Sequence, residues 1–397
     1  MNRLIPSDQV ALPSDLKRAN RQNILRALRS GRTLTAAAIH QETGISRPTV
    51  MRALQHYCEV GVVESLGLGE TTSQGGKKPE LFRFADTKQI LCLNLWPQSL
   101  TLALSGMLGD VQAVEQQRMR VGQTLEEAFR PLSSLIAEYL ARHEVNMDSL
   151  YGVALTVPGT VDYGTQLLRY NSQCPGWGTD VDLCAQLRQI FGDKAFFVDN
   201  AGKAAGRAVL LNKPEYEQKR LLTLFTTWGV SSCMIERGHV LNGKDSLIGE
   251  IGHMVISDKG PSLCGCGKKG CLESLVSLHH VQSLMQGLHV DSIRELFRQS
   301  ASGESTARTV VCYLAHCFAV ALHNLSLAYN QEAVVFQGDF AWADSTFDEQ
   351  LKKELSEFRY YPDGQYFTIE YDRRDLGLLA AQGAAERLKN QYLDSLA

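Results

Sequence analysis

Three cysteines and a histidine lie close together in the stretch 249–273, which reads GEIGHMVISDKGPSLCGCGKKGCLE. Cys264, Cys266 and Cys271 offer thiolates, and His253, eleven residues before the first cysteine, offers an imidazole. This spacing is typical of zinc ligands, and four protein ligands leave the metal no open position for catalysis. The sequence therefore predicts one structural zinc ion per chain. The alternative interpretation is three reduced surface cysteines beside an unrelated histidine.

Two carboxylates, Glu250 and Glu273, flank these ligands. Ionised carboxylates only accept hydrogen bonds, which suits the hydroxyls of a sugar, although an exposed glutamate is more often a solvated surface charge. The whole stretch 249–273 resembles the zinc and sugar signature of the ROK family, which contains sugar kinases and sugar-responsive repressors. The resemblance implies that Glu250, His253 and Glu273 contact the sugar ring.

A second part of this resemblance lies earlier in the chain. The Pro-Gly-x-Val-Asp turn of the family is found at Pro158–Asp162, and Asn171 follows it, ahead of Trp177. The resemblance implies that Gly159 lets the backbone approach the sugar and that Asn171 binds it.

The position of the catalytic base in the kinases is occupied here by an amide. Kinases of the family have Asn-Asp at this strand-to-helix junction, whereas this chain has Asp199 followed by Asn200. An amide can bond a hydroxyl but cannot accept its proton. Asp199 is a poor substitute, because neighbouring residues near a strand end point in opposite directions. Both residues are predicted to face the sugar site, without kinase chemistry.

The segments that correspond to the phosphate loops of the kinases are also altered. The first reads Asn-Leu-Trp-Pro-Gln at 94–98, where proline removes a backbone donor and tryptophan adds bulk. Trp228 stands in the second loop, and Asp339 replaces a glycine in the third. We expect no sugar phosphorylation, since phosphoryl transfer needs positioned phosphates, a metal and a base. The alternative is an ATP-dependent sugar kinase with an added head.

The N-terminal segment is predicted to be a winged helix-turn-helix. Its first helix, within 14–30, carries four apolar residues on one stripe: Leu16, Ile24, Leu25 and Leu28. A second helix follows and ends at Gly44. Ser46 is placed to cap a third helix with Pro48 at its second position, and its buried face holds Val50, Ala53 and Leu54.

The third helix and the wing are predicted to bind double-stranded DNA. The helix residues expected to face a major groove are Arg47, Thr49, Arg52 and His56. Two strands, within 61–70 and 79–85, would form the wing, whose tip carries Lys77 and Lys78 for phosphates or a minor groove. The repressor branch of the ROK family has such a head and the kinase branch lacks it. A winged helix used for protein contact is the alternative.

Charge and composition agree with a basic head on an acidic body. The chain has 397 residues and a net charge of −3, with +5 in residues 1–85 and −8 in the remainder, a distribution typical of DNA-binding regulators. No apolar run approaches the ~20 residues of a membrane span, and the N-terminus lacks the apolar core of a signal peptide. Three of the ten cysteines lie in the metal stretch and the other seven are scattered, which favours reduced thiols and a cytoplasmic location.

The resemblance implies an α/β fold, the two-lobed, actin-like and ribonuclease H-like fold of sugar kinases, behind the N-terminal winged helix-turn-helix. The expected divisions are a head at 1–85, a first lobe at 86–205 that also takes the closing helix 376–397, and a second lobe at 206–375 with the zinc site. The hypothesis for function is a transcriptional regulator that binds a palindromic operator as a homodimer or homotetramer and responds to a sugar or sugar derivative. Control by capture on a protein partner is a third possibility.

Overall fold

The computed structural model describes most of the chain. The described residues are 13–28, 31–69, 78–85, 87–97, 99–108, 111–119, 124–227, 229–258, 263–285, 287–360 and 367–396. Three residues named above, Lys77, Gln98 and Trp228, lie outside these ranges.

The N-terminal head consists of three helices and a small antiparallel sheet. Its elements are α1 (Pro13–Leu28), β1 (Leu34–Thr35), α2 (Ala36–Thr43), α3 (Arg47–Glu59), β2 (Val63–Leu68) and β3 (Glu80–Phe84). The sheet order is β1-β3-β2, so the wing hairpin gains a short third strand from the α1–α2 connection. The predicted helix-turn-helix with a wing is confirmed.

Local sequence explains where the helices of the head begin and end. The Thr35 hydroxyl accepts a hydrogen bond from the Ala38 N–H at the start of α2, and Gly44 ends α2 in the left-handed conformation, with φ 71°. Ser46 precedes α3 as predicted. Its side chain makes no capping bond, however, because the hydroxyl lies 2.9 Å from Thr49 Oγ1 instead.

The residues predicted for the core of the head are buried, with one exception. Val50, Ala53 and Leu54 are buried, as are the apolar residues of the second half of α1, namely Ile24, Leu25 and Leu28. Leu16, predicted for the same stripe, is 56% exposed. It lies more than two turns before Ile24, beyond the part of α1 that packs on the rest of the head.

The first lobe of the body is built on a five-stranded sheet. Its elements are β4 (Gln89–Trp96), β5 (Ser99–Gly106), β6 (Val111–Arg118), α4 (Leu125–Phe129), α5 (Leu132–Arg142), β7 (Leu150–Val157), β8 (Thr160–Val161), β9 (Leu168–Tyr170), α6 (Leu183–Phe191), β10 (Ala195–Asn200) and α7 (Ala201–Asn212). Helices α4 and α5 are separated at Pro131, which has no N–H to continue the first.

The second lobe is built on another five-stranded sheet. Its elements are β11 (Arg220–Thr226), β12 (Val230–Glu236), β13 (His239–Val240), α8 (Leu272–Val276), α9 (Leu278–Leu284), α10 (Ile293–Ala301), α11 (Ser305–Ala328), β14 (Ala333–Gly338), α12 (Ser345–Glu357) and β15 (Thr368–Asp372). The last helix, α13 (Leu376–Leu396), returns to the first lobe and packs on α7, β4 and β7.

The two large sheets share one plan. The order in the first lobe is β10-β7-β4-β5-β6, and the order in the second is β13-β12-β11-β14-β15. In each sheet three antiparallel strands are followed by two parallel ones. This duplication is that of the actin-like fold, and it places the ends of β4, β10 and β11 around one cleft.

Helix α13 runs from the cleft to the head. Gly377 at its first turn lies beside Thr101 of β5, and Gly383 packs directly on the backbone of Ala204 in α7, where a Cβ would overlap the Ala204 carbonyl. At its far end, Asp394 accepts a hydrogen bond from Gln22 of α1 at 2.7 Å. The head and the first lobe therefore share one hydrophobic cluster.

One helix among the described residues, α11, is long and apolar enough to cross a membrane by length and composition alone. Most of its apolar window, 61%, is buried inside the protein, in the core of the second lobe with Phe318 against Phe336 and Phe340. All ten cysteines are free thiols.

Candidate functional site

The four predicted metal ligands converge. One ligand atom from each of His253, Cys264, Cys266 and Cys271 lies within 4.8 Å of all the others. Cys264 Sγ is 3.4 Å from His253 Nδ1, and Cys266 Sγ is 3.6 Å from Cys271 Sγ. A tetrahedral zinc site with usual bond lengths separates two sulfurs by about 3.8 Å, and a sulfur from an imidazole nitrogen by about 3.6 Å. The donor set and its spacing therefore fit zinc.

The backbone around the cluster is closed by short pairings and by glycine. Single antiparallel bridges join Val255 to Cys271 and Leu263 to Lys269. Gly270 has φ 74°, and a Cβ there would overlap the carbonyl oxygen of Ser257. Only glycine allows the chain to return this closely before the last ligand.

The metal cluster forms one side of a narrow cavity of about 40 Å³ between the lobes, called the first cavity here. The residues of its wall include Pro158, Gly159, Asn200, Glu250, His253 and Glu273. Since Nδ1 of His253 faces the cysteines, a metal bound there leaves Nε2 available to a ligand.

Both carboxylates of the first cavity are held in place. Glu273 accepts a hydrogen bond from the Val230 N–H at 2.9 Å. Glu250 accepts one from the Thr160 hydroxyl at 3.1 Å, which joins the two lobes. Burial raises the pKa of the Glu250 carboxyl, so this group is less acidic than a surface glutamate.

The opposite wall contains two of the four residues predicted for it. Gly159 has φ 98° and lies against Asn171, and it lines the cavity. Asn200 also lines it, but its amide is engaged: Nδ2 donates to the Gly159 carbonyl, and Oδ1 caps α7 by accepting from the Lys203 N–H.

The other two residues do not line the first cavity, which corrects their predicted positions. Asn171 is fully buried, and its Oδ1 accepts from the N–H groups of Gln173 and Cys174, so it shapes the loop instead. The Asp199 carboxylate accepts from the Asn200 N–H at 2.8 Å and pairs with the buried Arg207 at 2.5 Å. A buried carboxylate needs such a partner.

The segment that corresponds to a phosphate loop is filled by an aromatic side chain. Trp96 stacks on Phe225 of β11, with ring centroids 5.8 Å apart and planes 12° apart. Its indole N–H donates to Asn94 Oδ1 at 2.9 Å, and the Thr156 hydroxyl donates to the same oxygen at 2.9 Å.

A second, larger cavity of about 720 Å³ lies on the other side of this aromatic pair. Its wall contains Asp291, Asp339 and Asp375. Arg294, a wall residue too, pairs with Asp339 at 3.2 Å. Asp375 caps the N-terminus of α13 by accepting from the Leu378 N–H at 2.9 Å.

The structure also shows connections that the sequence reading missed. The ammonium of Lys203 is buried and donates to the Ser246 carbonyl at 2.9 Å, and the Tyr163 N–H donates to the Ser246 hydroxyl. Burial lowers the pKa of Lys203. These bonds hold the loop that leads to Glu250, and a lysine among the small residues of the first turns of α7 was the signal of them in the sequence.

Three of the four predicted DNA-facing residues, Thr49, Arg52 and His56, lie on one side of α3, and Arg47 is its first residue. Arg47 and Arg52 are exposed, and Thr49 and His56 are half-buried. Lys78, next to the end of the wing, is exposed. The arginines carry their charges at the N-terminal half of a recognition helix, as groove readers do.

The fold and this site define a two-lobed sugar-kinase-like protein with a DNA-binding head. Residues 98–385 match the ROK family, and residues 23–67 match the IclR helix-turn-helix domain. The chain belongs to the ROK family.

Two curated relatives and one solved structure are similar to the chain. A putative xylose repressor of Caldicellulosiruptor sp. (strain Rt8B.4) is 24% identical over 90% of this chain and 92% of its own length. The glucokinase of Halalkalibacterium halodurans is 24% identical over 65% of this chain and 83% of its own. The crystal structure of a ROK family transcriptional regulator, a homologue of the E. coli MLC protein, has a TM-score of 0.77, with 18% identity over 96% of this chain and 99% of that one. The fold prediction is thereby confirmed.

Proposed function

We propose that this protein is a transcriptional repressor that binds DNA through its head and is controlled by a sugar bound in the first cavity. The observation that carries the proposal is the first cavity itself, where Glu250, His253 and Glu273 meet in a chain that also has a helix-turn-helix. The similarity to a xylose repressor over 90% of the chain, head included, supports it.

A structural zinc ion bound by His253, Cys264, Cys266 and Cys271 is part of this proposal. It would fix His253 and, through the chain on both sides, Glu250 and Glu273. The near-tetrahedral spacing of the four ligand atoms supports zinc. Its role is to hold the sugar contacts, because a closed ligand set leaves no site for chemistry.

We further propose that the protein does not phosphorylate the sugar. Asn200 stands where a base is required and its amide already makes two hydrogen bonds. Trp96 occupies the path between the two cavities. A sugar kinase with a DNA-binding head is the second candidate, favoured by the similarity to a glucokinase and by the size of the second cavity.

Control of the head requires a route from the cleft, and α13 offers one. Its first turn lines the second cavity and its last turn contacts α1 through Asp394 and Gln22. A sugar that changes the closure of the lobes would shift α13 and hence the head, and couplings of about 1–3 kcal/mol are typical of such switches. The protein would act in the cytoplasm, as a homodimer or homotetramer on a palindromic operator, because symmetric oligomers bind symmetric sites.

The experiment that tests this function is selection of genomic DNA fragments on the purified, zinc-loaded protein, followed by sequencing of the retained DNA. Recovery of a shared inverted repeat is expected. Retention of no specific sequence, together with ADP release from ATP in the presence of D-glucose or D-xylose, would contradict the proposal and support the kinase.

A further inference from the structure

We propose that the effector is an unphosphorylated, uncharged sugar and that Trp96 determines how far it can extend toward the second cavity. This inference rests on the proposed sugar-sensing function and specifies the ligand class. It follows from the shape and the charge of the first cavity, which are independent of each other.

The shape of the first cavity is limited by an aromatic partition. Trp96 and Phe225 contribute to the walls of both cavities, so their stacked rings separate the two. A ligand held by Glu250, His253 and Glu273 therefore meets these rings at the end that faces the second cavity. Any substituent at that end has to displace Trp96.

Hydrogen bonds hold the Trp96 ring of the partition in place. The indole N–H donates to Asn94 Oδ1, and the same oxygen accepts from the Thr156 hydroxyl of the neighbouring strand. Asn94 is 4% exposed and Thr156 is 1% exposed. Rotating the indole out of the partition breaks a buried hydrogen bond as well as the ring contact with Phe225, and a buried polar group left without a partner is costly.

The charge of the first cavity excludes phosphate. Its wall carries the carboxylates Glu250 and Glu273, and none of the described lining residues is a lysine or an arginine. Lys203 is close in the fold, but its ammonium is turned to Ser246 and Asn242. Three cysteine thiolates on one zinc ion would add a further net negative charge. A phosphate group would have to be buried without a cationic partner.

The second cavity offers a phosphate no better environment beyond the partition. Arg294 is the one lysine or arginine among its described lining residues, and it is paired with Asp339. Asp291 and Asp375 add negative charge to the same wall. A phosphorylated sugar is thus unfavourable whether its phosphate stays in the first cavity or reaches past Trp96.

The first test compares sugars with their phosphates on the wild-type protein by isothermal titration calorimetry. The probes are D-glucose with glucose 6-phosphate, and D-xylose with xylose 5-phosphate. For whichever sugar binds, we expect the phosphate to bind at least about 100-fold more weakly, since like charges in an interface cost several kcal/mol. A sugar phosphate that binds as tightly as its parent sugar, or more tightly, would overturn the proposal.

The second test removes the partition. Trp96→Ala should join the cavities and improve the binding of maltose relative to D-glucose by about 10-fold or more, since one steric clash or one lost contact is worth about 1–3 kcal/mol. Trp96→Phe retains an aromatic ring and should keep the wild-type preference. Zinc content and thermal unfolding establish that both variants are folded. An unchanged ratio of maltose to glucose affinity in folded Trp96→Ala would contradict the role of Trp96.

The outcomes separate this inference from the function on which it rests. If neither sugars nor sugar phosphates bind the zinc-loaded protein, the sugar-sensing function fails and the inference with it. If only sugar phosphates bind, the sugar-sensing function remains and the inference alone fails. The comparison of sugars with sugar phosphates uses only the wild-type protein. It can therefore refute the proposal even if Trp96→Ala does not fold.

Discussion

The two cavities on either side of the Trp96–Phe225 pair are built in opposite ways. The first is narrow, and its carboxylates are held by the Val230 N–H and the Thr160 hydroxyl beside a four-ligand metal cluster. The second is far larger, about 720 Å³ against about 40 Å³, and its described wall carries three carboxylates, one of them paired with Arg294. The two cavities therefore differ in size and in their fixed polar groups: backbone and hydroxyl donors hold the carboxylates of the first, whereas Arg294 pairs with Asp339 in the second.

This contrast bears on what a kinase-like fold can do without transfer chemistry. Binding a sugar needs fixed hydrogen-bonding groups, which the first cavity supplies. Phosphoryl transfer also needs a base, a metal and aligned phosphates. In this chain, the groups that hold them would have to lie around Asn200, Asn94 and Asp375. Two lobes that close on a ligand are sufficient for a switch, so the fold can serve regulation once the second cavity stops serving catalysis.

The largest expected effect comes from breaking the metal cluster, which should disrupt the first cavity and spare the second. Cys266→Ser should lose zinc and lower the free energy of unfolding by about 4 kcal/mol or more, because metal binding at such sites is folding energy. Zinc content by atomic absorption and thermal unfolding measure this. Cys312→Ser, at a half-buried cysteine outside the cluster, is the matched control. A Cys266→Ser protein that lacks zinc and melts like wild type would refute the structural role.

Next in size is the loss of one sugar contact. Glu250→Gln should weaken sugar binding by about 10- to 100-fold, since a hydrogen bond to a charged group contributes about 1.5–3 kcal/mol, while operator binding without sugar is retained. Titration calorimetry measures the first and fluorescence anisotropy of labelled DNA the second. Asp291→Asn, in the wall of the second cavity, should leave sugar affinity unchanged. Equal losses in both variants would remove the distinction between the cavities.

A change in the head should leave both cavities intact. Arg52→Ala is expected to weaken operator binding by about 1–3 kcal/mol, the usual value of a base-reading arginine, with unaltered sugar affinity. Arg130→Ala removes an exposed arginine of the body and serves as the control in the same anisotropy measurement. Wild-type operator affinity in Arg52→Ala would move the DNA-reading surface away from α3.

The smallest expected effect is that of restoring a carboxylate at the position of the base. Asn200→Asp should keep α7 capped, because aspartate caps helices as well as asparagine does. It loses the Nδ2 donor to the Gly159 carbonyl, so sugar affinity should fall by about two- to tenfold, the usual value of one neutral hydrogen bond. No ADP release is expected with D-glucose or D-xylose and magnesium ATP, since the Trp96 partition and Asp375 remain. Sustained ADP release in a coupled assay would show that the second cavity still binds and aligns a nucleotide.

Short-range patterns in the sequence predicted much of this molecule. Glycine at the end of α2, the apolar stripe of α3 and the close spacing of the four metal ligands are local features, and the structure places each as expected. The long-range pairs could not be read in this way. Trp96 and Phe225 are 129 residues apart in the chain, and Thr160 and Glu250 are 90 residues apart, so only the packing of the two lobes brings them together.

The errors have a similar origin. Asp199 and Asn171 were predicted as sugar contacts from their place in the chain, but the first pairs with Arg207, a full turn or more into α7, and the second braces its own loop.

The duplicated sheet plan also left no repeat in the sequence, because strand order is fixed by pairing and the two lobes bury different side chains.

The central claim is that a sugar in the first cavity changes DNA binding without being phosphorylated. The most direct measurement is the affinity of the zinc-loaded protein for its selected operator, with and without a saturating sugar and in the absence of ATP, for wild type and Glu250→Gln. The account predicts a change of about fivefold or more in wild type, as expected for a coupling of at least about 1 kcal/mol, and a sugar concentration for the half-maximal change that is about 10- to 100-fold higher in the variant. A sugar that binds the first cavity and leaves the operator affinity of the wild-type protein unchanged would contradict it.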